Sequence, residues 1–472
     1  MCGIVAVLKR RSARQPPQAA TLVDRMQSAL EHLTGPSEDL VAGLAAAGEQ
    51  LGWVDRQLKG TPGLTALISD PALGPKLESG TQEISRVIQA LDSRIDSEAG
   101  TVSPEEVEQV NAALIAVKDR LWAIEHDRLG TAREVAALAG SGPSVSAVES
   151  YGSIQTALAA IDRLEVRGRD SAGLHILVWD HGLDLDDPQV ARLMGSRNDP
   201  LFTSGVVRTA SGALGFVYKA AAEIGELGDN VAAIRRGILN DGLLRRALEG
   251  ASARATVLGH TRWASVGTIS EANAHPLDGW EAKPRAGEVP HLVAVLNGDI
   301  DNYSSLVAQQ SLEVAGVITT DAKVIPVLAA RRVAAGEALD EAFAHTVAEL
   351  EGSMAIVASS AVQPATLQLA VRGSGQALYV GLAEDSYVVA SEPYGVVEEA
   401  GSYIRIDGDS TSGRLVFLNA DAAGTLEGID RRGYDGRGMP VATGDLQYPE
   451  ITTRDIDRRG FRHFLLKEIT EA

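Results

Sequence analysis

The sequence predicts an α+β protein whose sheets stack on one another, carrying a long helical segment near its start. Three observations predict it. Strand-like apolar runs recur from Leu174 to about Leu418 with only a few helices between them. One more such run, Ile4–Leu8, stands alone ahead of them, and residues from about Ala20 to Ala139 carry helical spacing almost throughout.

Ile4-Val5-Ala6-Val7-Leu8 is apolar without a helical period, which predicts a strand. Ser12-Ala13-Arg14-Gln15-Pro16-Pro17 reads as a linker into the helical block. There Ile84, Val87, Ile88, Leu91 and Ile95 fall on one stripe. Ser103-Pro104-Glu105-Glu106 is a capping box with proline at the first helical position. Behind it Val107, Val110, Leu114, Val117, Leu121 and Ile124 step by three and four, after which Gly130 is expected to stop the helix and Thr131–Glu134 to cap the next. Breaks at Gly35-Pro36, Gly60–Gly63 and Glu98–Gly100 favour a bundle folded on itself over a coiled coil between chains, which leaves a homo-oligomer open.

Gly140-Ser141-Gly142-Pro143 reads as a linker, and a helix is expected over Gly152–Leu164. Strands are expected at Leu174–Trp179, Ala255–Leu258, His291–Leu296, Ser353–Ser359, Thr366–Val371, Ala377–Gly381 and Tyr387–Ala390. Helices are expected near Val231–Leu248, Ala322–Ala335 and Leu339–Leu350.

Composition narrows the function. A net charge of −20 and a pI of about 4.9 argue against nucleic acid as a partner, because phosphate binding needs clustered Lys and Arg. No apolar run approaches the ~20 residues of a membrane span. The nine histidines form no metal-binding motif, so no metal and no cofactor are expected. One cysteine makes no disulfide framework, and a reducing cytoplasm is the expected location.

That cysteine is Cys2, directly behind the initiator methionine. A small second residue permits methionine removal, which would leave a thiol and a free α-amine on one residue. An α-amine titrates near ~7.7–8 and a thiol near ~8.5, so proton exchange between them is nearly balanced at neutral pH. A lone cysteine so placed is a candidate nucleophile activated by its own amine; a small apolar start to a buried strand is the alternative.

Four further blocks stand beside it: Arg167-Gly168-Arg169-Asp170-Ser171-Ala172-Gly173, Gly259–Gly267, Leu296–Tyr303 and Thr319-Thr320-Asp321. Each alone is weak, since Asn-Gly after a strand is usually a hairpin turn and Thr-Asp before a helix an N-cap. In this order behind Cys2, with Asn273-Ala274-His275-Pro276 and Ala377–Ser391, they resemble the class II glutamine amidotransferases. Within these the glutaminase half of the glutamine–fructose-6-phosphate aminotransferases is most similar. The resemblance covers roughly 300 residues and excludes the helical block.

The resemblance implies a four-layer αββα N-terminal-nucleophile hydrolase sandwich with a large all-helical insertion. Residues 1–10 would form its first strand and nucleophile, 11–148 the insertion, 149–455 the rest of the domain, and 456–472 a linker toward a sugar-isomerase domain. It implies hydrolysis of L-glutamine through a Cys2 thioester, with the ammonia passed to a sugar-isomerase (SIS-type) domain or subunit for glucosamine-6-phosphate synthesis. Asn297 and Gly298 would form the oxyanion hole, Arg262 clamp the α-carboxylate, and Asp321 hold the α-ammonium. Trp263 would gate the ammonia channel and Ser265 line the substrate site. An amidophosphoribosyltransferase or asparagine synthetase type, and a non-catalytic glutamine sensor or scaffold, are the alternatives. Val266 and Leu296 stand where the family commonly has histidines, Lys323 where it often has an acid, and Arg169 where an aromatic is common.

Overall fold

The structure, a computed structural model, describes residues 2–35, 39–98, 104–221, 226–282, 289–408, 413–457, 461 and 469. The chain folds as two compact units, Met1–Arg11 with Leu138–Pro449 and Ser12–Ala137 with Glu450–Ala472.

Among the described residues the first unit holds two antiparallel sheets. The larger has nine strands in the order Leu446–Gln447, Ser402–Asp407, Ala377–Leu382, Ser386–Ala390, Gly3–Lys9, Arg254–Arg262, Ser171–Trp179, Ala213–Ala220 and Val207–Ala210. The smaller has six, in the order Ile429–Gly433, Arg414–Asn419, Thr366–Arg372, Gly352–Ser360, Leu292–Ile300 and Leu277–Asp278.

Gly3–Lys9 is central because every residue in it is buried, which an unbroken apolar run requires. Its register sets Val5 opposite Ala390 on one side and Gly259 on the other. Ile4, Ala6 and Leu8 enter one apolar core with Val295, Val357, Leu369 and Val416 of the smaller sheet, so the sheets pack face to face. Helix Val145–Leu164 lies on Gly3–Lys9 and Arg254–Arg262. Helix Val324–Ala334 packs on strand Leu292–Ile300, and Leu339–Ala348 on Thr366–Arg372.

All eight expected strands form, seven extended by one or more residues, while the one expected at His291–Leu296 starts at Leu292 and runs on to Ile300. The hairpin Val207–Ala220 was not expected, although its turn is marked: Ser211 and Gly212 both take positive φ, +51° and +74°. Strands Ser402–Asp407, Arg414–Asn419 and Ile429–Gly433 were not expected either. The single helix expected over Val231–Leu248 is two, Asp229–Leu239 and Gly242–Glu249. Asp241 breaks it by accepting hydrogen bonds from the Leu243 and Leu244 N–H groups, a side-chain cap that restarts the helix. The helix expected from Gly152 begins at Val145, capped by the Ser144 hydroxyl.

The second unit is helical. Helices Ala19–Thr34, Leu40–Leu58, Leu73–Glu98 and Pro104–Trp122 each pack on two of the others in a closed ring. Ile84, Ile88, Leu91, Leu114, Val117, Leu121 and Ile124 are buried within it, while Val87, Ile95, Val107 and Val110 of the same stripes are half-buried, so most of the apolar stripe area is covered within one chain. The capping box at Ser103 and the break at Ala99-Gly100 fall outside the described residues. Gly130 does not stop its helix. A π-helical turn over Ala123–Gly130 runs on into Thr131–Ala139, and Thr131 keeps helical φ and ψ of −59° and −39°. That turn buries Arg128, whose Nε donates to Asp55 at 2.8 Å.

Candidate active site

Strand Gly3–Lys9 starts beside the end of Arg254–Arg262, with Gly3 opposite Thr261. Cys2 therefore lies against Trp263, whose backbone N–H donates to the Cys2 Sγ at 3.3 Å. Burial raises the thiol's pKa. The Trp263 hydrogen bond and the Arg262 charge pull it down by less.

Strand Leu292–Ile300 of the other sheet brings Asn297, Gly298 and Asp299 to the same place. The Asn297 Nδ2 donates to the Cys2 carbonyl oxygen at 3.0 Å. Its Oδ1 accepts from His260 Nε2 at 3.1 Å, and that nitrogen also lies 2.9 Å from the Leu296 carbonyl. Both partners are acceptors, so Nε2 carries the ring proton, and the carboxamide is held with its NH₂ toward Cys2. Burial lowers the His260 pKa to about 3, so the ring stays neutral. Gly298 has φ +96°, and a Cβ there would sit 2.0 Å from the Ser353 carbonyl oxygen. No other residue fits.

Cys2, Trp263, Ser265, Asn297, Gly298 and Asp299 share one cavity of about 420 Å³, completed by Tyr379, Ser391, Glu392 and Arg405 among others. Ser265 Oγ donates to Asp299 Oδ1 at 3.1 Å. Trp263 is 58% exposed, so its ring is no part of a core.

Arg262 and Asp321 stand behind this wall rather than on it. The Arg262 guanidinium donates to the Thr268 carbonyl at 3.2 Å and to the Val266 carbonyl, shaping the loop that follows Trp263. Asp321 accepts from the Ile300 N–H at 2.7 Å and the Ala322 N–H at 2.9 Å. Burial raises its pKa and these bonds oppose the rise.

The departures from the family pattern have visible accommodations. Lys323 is buried with its Nζ 3.0 Å from Asp278 Oδ1 and 2.7 Å from Glu281 Oε2, and Arg208 donates to the other Asp278 oxygen at 2.9 Å. Leu296 is buried in the apolar core of the smaller sheet. Val266 contributes its carbonyl to Arg262.

Sequence reasoning passed over His260, Asp299, Ser391 and Arg405. His260 was legible in principle, because it shares a strand face with Leu258, which points into the core between the sheets. Ser391 reaches the cavity by donating its N–H to the Ile4 carbonyl at 3.0 Å, and Arg405 by lying opposite Tyr379 on the neighbouring strand, placements that no local pattern reveals.

No family model matches the chain. Proteins with curated names do. The chain is 29% identical over 228 residues to the glutamine–fructose-6-phosphate aminotransferase (isomerizing) of Bacillus cereus, covering 48% of this chain and 34% of that one. It is 32% identical over 263 residues to the enzyme of the same name from Gloeobacter violaceus, covering 54% and 38%. Over about half its length this chain is similar to glutamine–fructose-6-phosphate aminotransferases. The match spans little more than a third of each relative's length. Among solved structures, an allosteric regulatory enzyme of purine biosynthesis overlaps 60% of this chain and 46% of its own at 19% identity, with a TM-score of 0.40.

Proposed function

We propose that the chain is the glutaminase part of a glutamine amidotransferase of the glutamine–fructose-6-phosphate aminotransferase type, acting in the cytoplasm. Its sheet unit would be the four-layer αββα N-terminal-nucleophile fold, with a helical insertion that spans 12–137 rather than the expected 11–148, because the helix from Val145 packs on the sheet, and with 456–472 leading toward a sugar-isomerase partner. One observation carries the reading. The chain's single cysteine lies at position 2, its sulfur 3.3 Å from the Trp263 N–H, with an Asn297 carboxamide oriented onto its backbone.

Cys2, freed by removal of Met1, gives its thiol proton to its own α-amine. A thiol whose pKa is raised by burial needs such a base near neutral pH. The thiolate attacks the glutamine carboxamide carbon. The oxyanion forms against the second Asn297 N–H and the Gly298 backbone N–H, donors whose individual loss costs ~10²–10³ in rate. The α-ammonium then protonates the departing nitrogen as the C–N bond breaks, leaving a thioester and ammonia. Water, deprotonated by the same amine, attacks the thioester carbon to release glutamate and restore the thiol. Arg262 and Asp321 carry the opposite charges that a glutamine α-carboxylate and α-ammonium require, but they stand behind the cavity wall, so they would act on the bound glutamine only after the loop that follows Trp263 shifts. Ammonia is destined for a ketose phosphate held by the acceptor domain.

Glutaminase turnover by the purified, methionine-free chain, absent in its Cys2→Ala variant, is the expected result. Equal activity in both proteins excludes the mechanism. Intact mass adds a second reading: 6-diazo-5-oxo-norleucine should label the wild type once and the variant not at all.

A further inference from the structure

The chain carries a net charge of −20, yet one cavity of the sheet unit reverses that sign. It measures about 920 Å³ and is bordered by Arg372, Arg414, Arg431 and Arg437, with Asp435 the one acid among the described residues on its wall. It shares no wall residue with the Cys2 cavity.

The arrangement follows from sheet register. Arg414 pairs with Val371 on one side and Gly433 on the other, so three adjacent strands of the smaller sheet reach the same end together. The segment after Gly433 folds back over that end. The Gly433 N–H donates to the Arg437 carbonyl at 2.9 Å, and the Met439 N–H to the Arg431 carbonyl at 2.7 Å. Arg431 holds the return by donating to the Met439 and Pro440 carbonyls at 3.2 and 2.9 Å and is compensated by Asp445 Oδ2 at 3.2 Å, so the cavity's excess positive charge does not come from it. Asp435 is spent on the turn, accepting the Arg437 backbone N–H at 3.0 Å.

Two features face the cavity without a partner among the described residues. The Arg437 side chain is exposed and forms no ion pair. The Tyr434 hydroxyl is buried and has no hydrogen-bond partner, and burial raises its pKa, so it remains a donor. A ligand acceptor that reaches this hydroxyl would satisfy it. Gly413 makes room for the ring, since a Cβ there would fall 2.3–2.5 Å from Tyr434 atoms.

We propose that this cavity binds a phosphorylated small molecule. Every cation on the wall is arginine, whose planar fork matches phosphate oxygens in pairs. Ordinary small-molecule sites measure ~300–1,000 Å³, so the space admits more than a bare anion. Tyr434, Met439 and Pro440 supply the less polar wall for the remainder of the ligand.

The test is calorimetry of the full chain with inorganic pyrophosphate, alongside sulfate as a simple divalent anion. Saturable one-to-one binding of pyrophosphate is expected, at least tenfold tighter than sulfate and weakened by added salt. Arg437→Glu should reduce it at least tenfold and Tyr434→Phe severalfold, while 6-diazo-5-oxo-norleucine still labels Cys2 in both variants. Absence of saturable heat, or binding unchanged in Arg437→Glu, overturns the proposal. Neither result depends on whether the chain turns over glutamine.

Discussion

Lowering the pH from 7.5 to 5.5 should destabilise the sheet unit far more than an average protein. His175, His260, His275 and His291 are each at most 6% exposed. Burial is the leading cause in every case, lowering His260 to about 3, His291 to about 4, and the other two well below the usual value. His175 and His291 also meet Nε2 to Nε2 at 3.0 Å, so one ring must accept, and a proton on both would set two donors face to face.

An unfolded histidine takes its proton near ~6.5. Below that pH the unfolded chain binds protons that the folded chain refuses, so stability falls as pH falls, by about 1.4 kcal/mol per pH unit per group. Four groups at pH 5.5 give about 5 kcal/mol, comparable to the lower end of the ~5–15 kcal/mol that holds an ordinary protein folded. Lys219 does not blur this window: its pKa is lowered to about 7 by burial, so below 7 both states are protonated. Above 7 it acts in the same sense, its contribution to stability rising with pH. Urea or thermal midpoints followed by circular dichroism at half-unit pH steps measure the effect. A midpoint flat from 7.5 to 5.5 would refute the reasoning, since it would require these rings to be charged in the folded state.

Replacing His260 with Phe removes the N–H that orients Asn297. Glutaminase kcat should then fall ~10²-fold with KM little changed, and the pH profile should keep its shape because the native ring does not titrate near neutrality. An unchanged kcat measured in a folded variant removes His260 from the positioning role. Gly298→Ala sets a methyl 2.0 Å from the Ser353 carbonyl at φ +96°, so loss of soluble, labelable protein is expected on expression. Asp55→Ala removes the 2.8 Å carboxylate partner of buried Arg128 and should cost the helical unit about 3–5 kcal/mol in denaturant melts.

The resemblance was legible because it rests on short blocks whose residue types are hard to replace. A thiol at position 2, an Asn-Gly after a strand and an Arg-Trp after another survive as words in the sequence. Helical stripes were legible for a different reason, the fixed period of the helix. Helix ends were read less well. Gly130 looked like a stop because glycine commonly ends helices, but packing of Ile124, Arg128 and Leu129 into the bundle outweighs a propensity cost of ~1 kcal/mol.

By itself the sequence singled out Cys2 as the candidate nucleophile and determined the strands through the centre of both sheets and the self-contained helical block, because each depends on local periodicity or on one distinctive atom. Only the tertiary structure decided what surrounds them. His260 gains its role from a carboxamide on the facing sheet, Lys323 its neutralising partners Asp278 and Glu281 from more than forty residues away, and the four cavity arginines their shared wall from strand register for Arg372, Arg414 and Arg431 and from the return turn for Arg437. Long-range pairing fixes these neighbours, and a one-dimensional pattern carries no record of which strand lies beside which.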